Sequence, residues 1–430
     1  MIRQGFDLYH RYLADAGRLL PRPLRHLVLR LLYRATRHPD FGFHHARSLV
    51  QCGETARAQA LYCSAGALED PLFDARLTPA RGAAGPVAQG YMAAQLCYHG
   101  LRLSGYVTAT GPGQSLHLSI DDTILFTQSL RPGAARSPFR LIFPRSVLAR
   151  FPKAGILRAQ LDDGRRIIPH ADTEGWALTL PQGQDRIAQD IAQKGLLDKK
   201  GRFRPDATEL DRRQQAYLAL YQELRAVFAR EFDLPLLILY GTLLGQVRSG
   251  GFIPGDDDFD IGYPSLQQNP EAVRDETIRI MSRLADLGYV IELNELGRPF
   301  RVRAASGPDW CHLDNRPVFS PVQGQVWLHK HACLPLALED FTRPGTGQIC
   351  GIEVLRPRAP EAFLRAYYGP GWATPDPGYT NSGRTLPRQV QQGLARLCLP
   401  DRMQRDLARR YPGRILPLRW QSLYPLSEQG

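Results

Sequence analysis

The chain has 430 residues, 43% of them hydrophobic and 22% charged, an ordinary balance for a soluble protein long enough to build two or three domains. Its net charge is +12, but only five of the 54 basic residues are lysine. They form no lysine-rich tract and no aromatic–basic interleaving, so no nucleic-acid partner is expected. Seven scattered cysteines without a Cys-x-x-Cys pair argue for a reducing compartment and against a disulfide framework. Met1–Leu20 carries charges among its apolar residues, unlike a signal peptide, and no uninterrupted apolar run approaches membrane length. A cytoplasmic location is expected, with peripheral membrane association as the alternative.

Residues 1–88 read as a helical N-terminal region. Leu24, Leu27, Val28, Leu31 and Leu32 share one helical face, with Arg22, Arg25, Arg30 and Arg34 around it. Packing against a small helical bundle is the expected use of that face, and an anionic membrane the alternative. Ala46, Leu49, Gly53, Ala58, Leu61, Tyr62 and Ala65 suggest an α-hairpin resembling one tetratricopeptide-like unit. Over 95–180 the period changes to two, as in Leu116, Leu118 and Ile120, with turns at Gly111-Pro-Gly113 and Asp162-Asp-Gly164. This predicts a small β-sandwich, either a glycan-binding module or a spacer.

Asp206, followed three residues later by Glu209, predicts a helix start. Its stripe of Leu210, Tyr217, Leu220, Tyr221, Leu224, Val227 and Phe228 should pack on a sheet. Leu236–Tyr240 reads as a buried strand, Gly241-Thr242 as a turn and Leu243–Val247 as a short helix with N–H groups facing an anion. Arg248 and a glycine loop lead to Asp256, Asp257, Asp258 and Asp260. Like charges crowd this closely where a cation neutralises them. On a strand Asp258 and Asp260 share a face, forming a hard-cation site suited to Mg²⁺, with Mn²⁺ as a substitute. A metal beside a helix N-terminus is the requirement of phosphoryl or nucleotidyl transfer. Further helix is predicted at Glu271–Leu287, and strands at Tyr289–Leu293, Arg301–Arg303 and Cys311–Leu313. The fold class is therefore α+β multidomain, with a mixed α/β domain over 206–380 and a helical extension over 384–430.

Gly241, Thr242, Leu243, Leu244, Gly245, Arg248, Phe252, Ile253, Pro254, Asp256, Asp257, Asp258 and Asp260 together resemble the signature of the LicD/fukutin-like family within the nucleotidyltransferase superfold. The pattern departs at Gly255 and Gly262. Asp314, in Trp310–Phe319, resembles the family's later block and fits as the third carboxylate, either a metal ligand or a base; Asp309 is the runner-up. Phe363–Trp372 resembles the family's late tyrosine-glycine segment. The resemblance spans about 206–380 and implies metal-dependent transfer of a phospho-alcohol, such as phosphocholine or a polyol phosphate. The donor would be CDP-activated and the acceptor a glycan or glycolipid, in modification of a cell-surface polysaccharide. Asp256, Asp258 and Asp260 would hold Mg²⁺, Gly241, Thr242 and Arg248 the donor phosphates, and Asp258, Asp260 and Asp314 would form the catalytic set. Adenylyl transfer from a nucleoside triphosphate, or a non-catalytic glycan-binding scaffold, are the other readings.

Arg298, Arg301 and Arg303 alternate near the acidic strands and suit either donor phosphates or an exposed strand face. His329, His331 and Cys333, with Cys311, His312 or Cys350, suggest zinc weakly, because their spacing fits no standard motif. No Gly-x-Ser-x-Gly, Walker or dinucleotide fingerprint occurs, which leaves hydrolase and P-loop readings without support.

Overall fold

A computed structural model describes residues 20–36, 75–82, 85–97, 100–108, 113–130, 136–198, 200–254, 256, 258–293, 300–329, 332–375, 386–397, 399 and 401–417, together with 42, 45, 46, 49, 54, 57, 58, 60 and 61. Asp257, Gly255, Arg298 and His331, and the side chain of His329, fall outside the described set. The chain divides by its contacts into two units, Met1–Arg204 with Trp420–Gly430, and Pro205–Arg419.

In the first unit, helix α1 covers Arg22–Thr36. It departs from the expected packing: Leu24, Leu27 and Leu31 are exposed and Val28 and Leu32 only partly buried, while Leu29 is buried. Burial on this helix goes instead to the face carrying His26 and Leu29, where the His26 ring meets His45 edge-on. Of the proposed hairpin, Ala46, Leu49 and Ala58 are buried; Gly53, Tyr62 and Ala65 lie outside the described residues.

The strands begin earlier than the period-two pattern suggests, with β1 at Arg76–Arg81 inside the stretch read as helical. They continue as β2 (Gly90–Cys97), β3 (Gly100–Thr108), β4 (Ser115–Ile120), β5 (Thr123–Ser129), β6 (Arg136–Pro144), β7 (Ala154–Leu161), β8 (Arg166–Ile167) and β9 (Thr173–Thr179). Two short helices, α2 (Arg145–Leu148) and α3 (Ile187–Lys194), complete the described elements of this unit. One antiparallel sheet has the order β1-β9-β7-β4-β5, with β8 on β7; the other is β2-β3-β6. Leu116, Leu118 and Ile120 point inward as their alternation requires, and share one core with Leu101, Leu103, Phe143 and Trp176. Tyr91 and Tyr106 are cross-strand partners on the smaller sheet, and Tyr91 is exposed.

The second unit opens with α4, Ala207–Phe232, capped by the Asp206 carboxylate, which accepts the Glu209 N–H at 2.8 Å. The capping box is half formed, because the Glu209 side chain instead accepts from Arg212 and Arg213. There follow β10 (Leu237–Ile238), α5 (Tyr240–Ser249), β11 (Asp260–Ser265), α6 (Pro270–Asp286), β12 (Val290–Leu293) and β13 (Phe300–Arg303). Next come β14 (Leu313–Val322), β15 (Gln325–His329), β16 (Ala332–Leu334), α7 (Glu339–Thr342), β17 (Gly345–Ile349), β18 (Ile352–Arg356) and α8 (Pro360–Tyr368). Helices α9 (Arg388–Arg396) and α10 (Asp401–Arg410) and strand β19 (Ile415–Pro417) end the described chain.

The sheet runs β17-β18-β10-β11-β14-β13-β12-β19, with β15 on β14 and β16 on β15. Its centre is the parallel pair β11–β14, flanked by antiparallel β10 and β13. Phe259, just before β11, and Tyr263 on it meet α4, where Tyr221 lies 5.6 Å from Phe259 and Phe228 5.7 Å from Tyr263. The apolar stripe of α4 thus packs where its periodicity requires. On α6, the Thr277 hydroxyl bonds the Tyr263 hydroxyl at 2.8 Å. Helix α9 joins this unit through Val390 and Leu394, which cluster with Phe319 and Trp327.

Glu276 on α6 provides a stability test. Burial raises its carboxyl above the usual range, opposed by a hydrogen bond from Ser265, and its Oε2 has no hydrogen-bond partner among the described residues. A carboxyl raised in the folded state favours folding when protonated and opposes it once pH rises through that value. Glu276→Gln should therefore melt about 2–4 °C higher at neutral pH, and the gain should shrink as pH falls through the carboxylate range. A gain that grew on acidification would contradict this.

Candidate active site

The segment around α5 is shaped by one unusual backbone. Strand β10 spans only Leu237–Ile238, because Leu239 is already the helix N-cap, and its N–H donates to the Asp260 carbonyl. Tyr240 then takes φ +48°, a left-handed conformation that costs a bulky residue about 1–2 kcal/mol. The turn expected at Gly241-Thr242 is thus made one residue earlier, and α5 begins at Tyr240 rather than Leu243. Tertiary contacts hold the strained residue in place: its ring lies 4.6 Å from Tyr367 and 5.6 Å from Phe363, and the Arg316 guanidinium stacks 4.6 Å from its centre.

Gly241 serves clearance rather than turning, since a Cβ there would stand 3.1 Å from Asp256 Oδ2. The Asp256 carboxylate therefore lies over the first turn of α5, where the helix leaves its N–H groups unsatisfied. Thr242 is buried, and its hydroxyl accepts the Asp260 N–H at 2.9 Å, tying the start of β11 to that same turn. One turn later, the loop after α5 returns so closely that a Cβ on Gly245 would lie 2.6 Å from the Gly251 carbonyl and 2.8 Å from the Ile253 nitrogen. That approach explains the second glycine of the motif.

Asp258 precedes β11 and Asp260 begins it; both are half-buried, while Phe259 between them is buried in the core. In the parallel β11–β14 ladder Asp260 is the register partner of Asp314. Neighbours in register project to the same side of a sheet, so two carboxylates 54 residues apart in sequence stand side by side. Each is met by an arginine. Arg316 Nη2 donates to Asp260 Oδ1 at 2.6 Å, and Arg301 Nε donates to Asp314 Oδ1 at 2.8 Å.

Arg316, two residues past Asp314 on the same strand, is buried beneath the site. Burial works against its charge, but Asp260, Tyr240 and Asp314 outweigh this and leave its pKa raised. Burial likewise pushes the Tyr240 hydroxyl well above its ordinary range. Sequence reading overlooked Arg316, although its i+2 spacing from Asp314 on a strand was the available signal. Gly262, opposite Arg316 in the ladder, leaves no room for a side chain: a Cβ would lie 2.5 Å from Leu239 Cδ1 and 2.9 Å from the Arg316 carbonyl. Gly262→Ala should therefore cost about 1–3 kcal/mol, read as a lower urea midpoint; an unchanged midpoint would refute the tight packing.

Two of the arginines expected at the donor phosphates, Arg248 and Arg303, make contacts within the fold. Arg248 Nη2 donates to the Trp372 and Thr374 carbonyls, bracing the segment after α8. Arg303 pairs with Glu292 at 3.3 Å and Asp309 at 3.2 Å. Among the described residues no three His, Cys, Asp or Glu side chains converge as a metal-ligand set. Burial raises the Cys311 and Cys333 thiols. For Mg²⁺ the donor chemistry fits, since that ion binds through one or two carboxylates and takes its remaining oxygens from water and substrate phosphates. Asp256, whose carboxylate lies at the first turn of α5, and Asp260, whose carboxylate meets Arg316, carry oxygens of that kind.

Asp256 over the first turn of α5, and Asp260 in register with Asp314, make up the candidate site. Residues 233–344 match the family described as LicD/FKTN/FKRP, nucleotidyltransferase domain. This segment is a LicD/fukutin-like domain, of a phosphotransferase-like family. No curated protein matches the chain. Among the described residues no helix is long and apolar enough to cross a membrane.

Proposed function

We propose that this unit transfers a phospho-alcohol from a CDP-activated donor to a hydroxyl of a glycan or glycolipid, on a nucleotidyltransferase-like fold. The observation that carries the reading is the register pairing of Asp260 with Asp314, beside a helix N-terminus overlain by Asp256. Asp258 and Asp260, with Asp256 alongside, would hold Mg²⁺, which when bound neutralises the donor's phosphates. The N–H groups of Gly241 and Thr242 in the first turn of α5 orient those phosphates. Thr242 positions the start of β11 through its hydroxyl. Asp314 takes the proton of the attacking hydroxyl; Arg301, bonded to its Oδ1, aims the other oxygen at the acceptor. Arg316 sets the orientation of Asp260 from below. Arg248 and Arg303 brace the surrounding segments.

The test is a donor panel, CDP-choline and CDP-polyols against nucleoside triphosphates, with Mg²⁺, with Mn²⁺ and with chelator. Thermal stabilisation and release of CMP from a CDP-alcohol, both lost on chelation, are expected. Pyrophosphate release from a triphosphate would instead favour adenylyl or other nucleotidyl transfer, and the absence of any metal-dependent nucleotide binding would favour a scaffold.

A further inference from the structure

Helix α1 presents two adjoining surfaces that no folding role explains. Leu24, Leu27 and Leu31 are 45%, 47% and 55% exposed, spaced three and four apart along one stripe. The next row, at Arg30 and Arg34, lines a cavity of about 370 Å³ together with Tyr33, His45 and Arg57. Helix α1 contains four arginines and no acidic residue. Arg57 is paired with Glu54 at 2.8 Å, whereas Arg30 and Arg34 make no ion pair among the described residues. The cavity is electropositive enough to be felt by its histidine: burial first, then the charges of His26, Arg57, Arg30 and Arg34, push His45 down to about 4.

From this juxtaposition we infer that α1 lies on an anionic membrane surface, its leucine stripe in the acyl boundary and a lipid phosphate in the Arg30–Arg34–Arg57 cavity. An exposed apolar stripe with a cationic flank and no acidic residues is the composition of an interfacial helix. Arginine suits the phosphate because its planar fork donates to two oxygens at once. The complementarity of cationic cavity and apolar stripe favours a lipid over a soluble anion, for which exposed leucines have no use. Such docking would hold the chain at the surface where lipid-linked acceptors reside, yet it does not depend on the transfer chemistry.

The test is flotation of the full chain with phosphatidylcholine vesicles, with and without phosphatidic acid. Binding only to the acidic vesicles, weakening with salt, is expected. Arg30→Gln with Arg34→Gln should weaken it roughly thirtyfold, as the loss of two basic side chains at an anionic surface implies. The variant Leu24→Ser, Leu27→Ser, Leu31→Ser, altering only exposed positions, should abolish it while melting is unchanged. Full binding by the leucine variant, equal binding to neutral vesicles, or no binding to either would overturn the inference. So would stabilisation by inorganic phosphate, or binding of an RNA oligonucleotide, without vesicle binding.

Discussion

Asp258→Asn is expected to reduce turnover by roughly a hundred- to a thousandfold, the scale of removing one charge-stabilising group from an active site, while the chain melts close to the unaltered protein. The substitution preserves shape, and Asp258 stands half-exposed ahead of the β11 ladder. The same change at Asp260 is a less clean experiment. Asp260 is the partner of buried Arg316 at 2.6 Å, so its neutralisation removes a structural ion pair along with a proposed ligand. Melting measured beside turnover separates chemistry from folding in either variant. Full turnover by Asp258→Asn at saturating Mg²⁺ would remove it from the catalytic set.

Arg316→Leu should destabilise the second unit by about 3 kcal/mol, near the lower end of the cost of breaking a buried pair. The lower end applies because the Asp260 side chain keeps 18% exposure and can recruit water. Loss of the guanidinium also removes the cation stacked on Tyr240, which helps hold that residue at φ +48°. Adding Asp260→Asn to Arg316→Leu should recover part of the loss, since the second change removes the stranded charge. Urea midpoints for the two single variants and the double variant measure this directly. Strict additivity would show that the pair is not coupled.

Much of the site was readable before any fold was known. The glycines, the aspartate run and the resemblance they carry marked 241–260 as the candidate site and Asp314 as a candidate partner, and the fold sets Asp314 in register with Asp260. The periodicity of α4 and the cap at Asp206 were equally legible, because local spacing and a short-range hydrogen bond encode them. Other features were not legible. Arg248, read from the motif, and Arg303, read from its alternation near the acidic strands, were expected at donor phosphates; only packing reveals Trp372, Thr374, Glu292 and Asp309 as their partners within the fold. The leucine stripe of α1 read as core because periodicity reports amphipathicity without saying which surface it meets; in the fold Leu24, Leu27 and Leu31 face outward.

The division has a physical cause. Residue type and short-range spacing determined that carboxylates crowd beside a glycine-rich helix start, since both are properties of neighbouring residues along one backbone. Tertiary structure alone decided that Asp260 stands in register with Asp314, that Tyr240 rather than glycine makes the turn, and that Arg316 lies beneath the pair. Those choices depend on strand register and on side chains more than fifty residues apart, and a one-residue slip in the β11–β14 ladder would turn the facing carboxylates to opposite sides of the sheet.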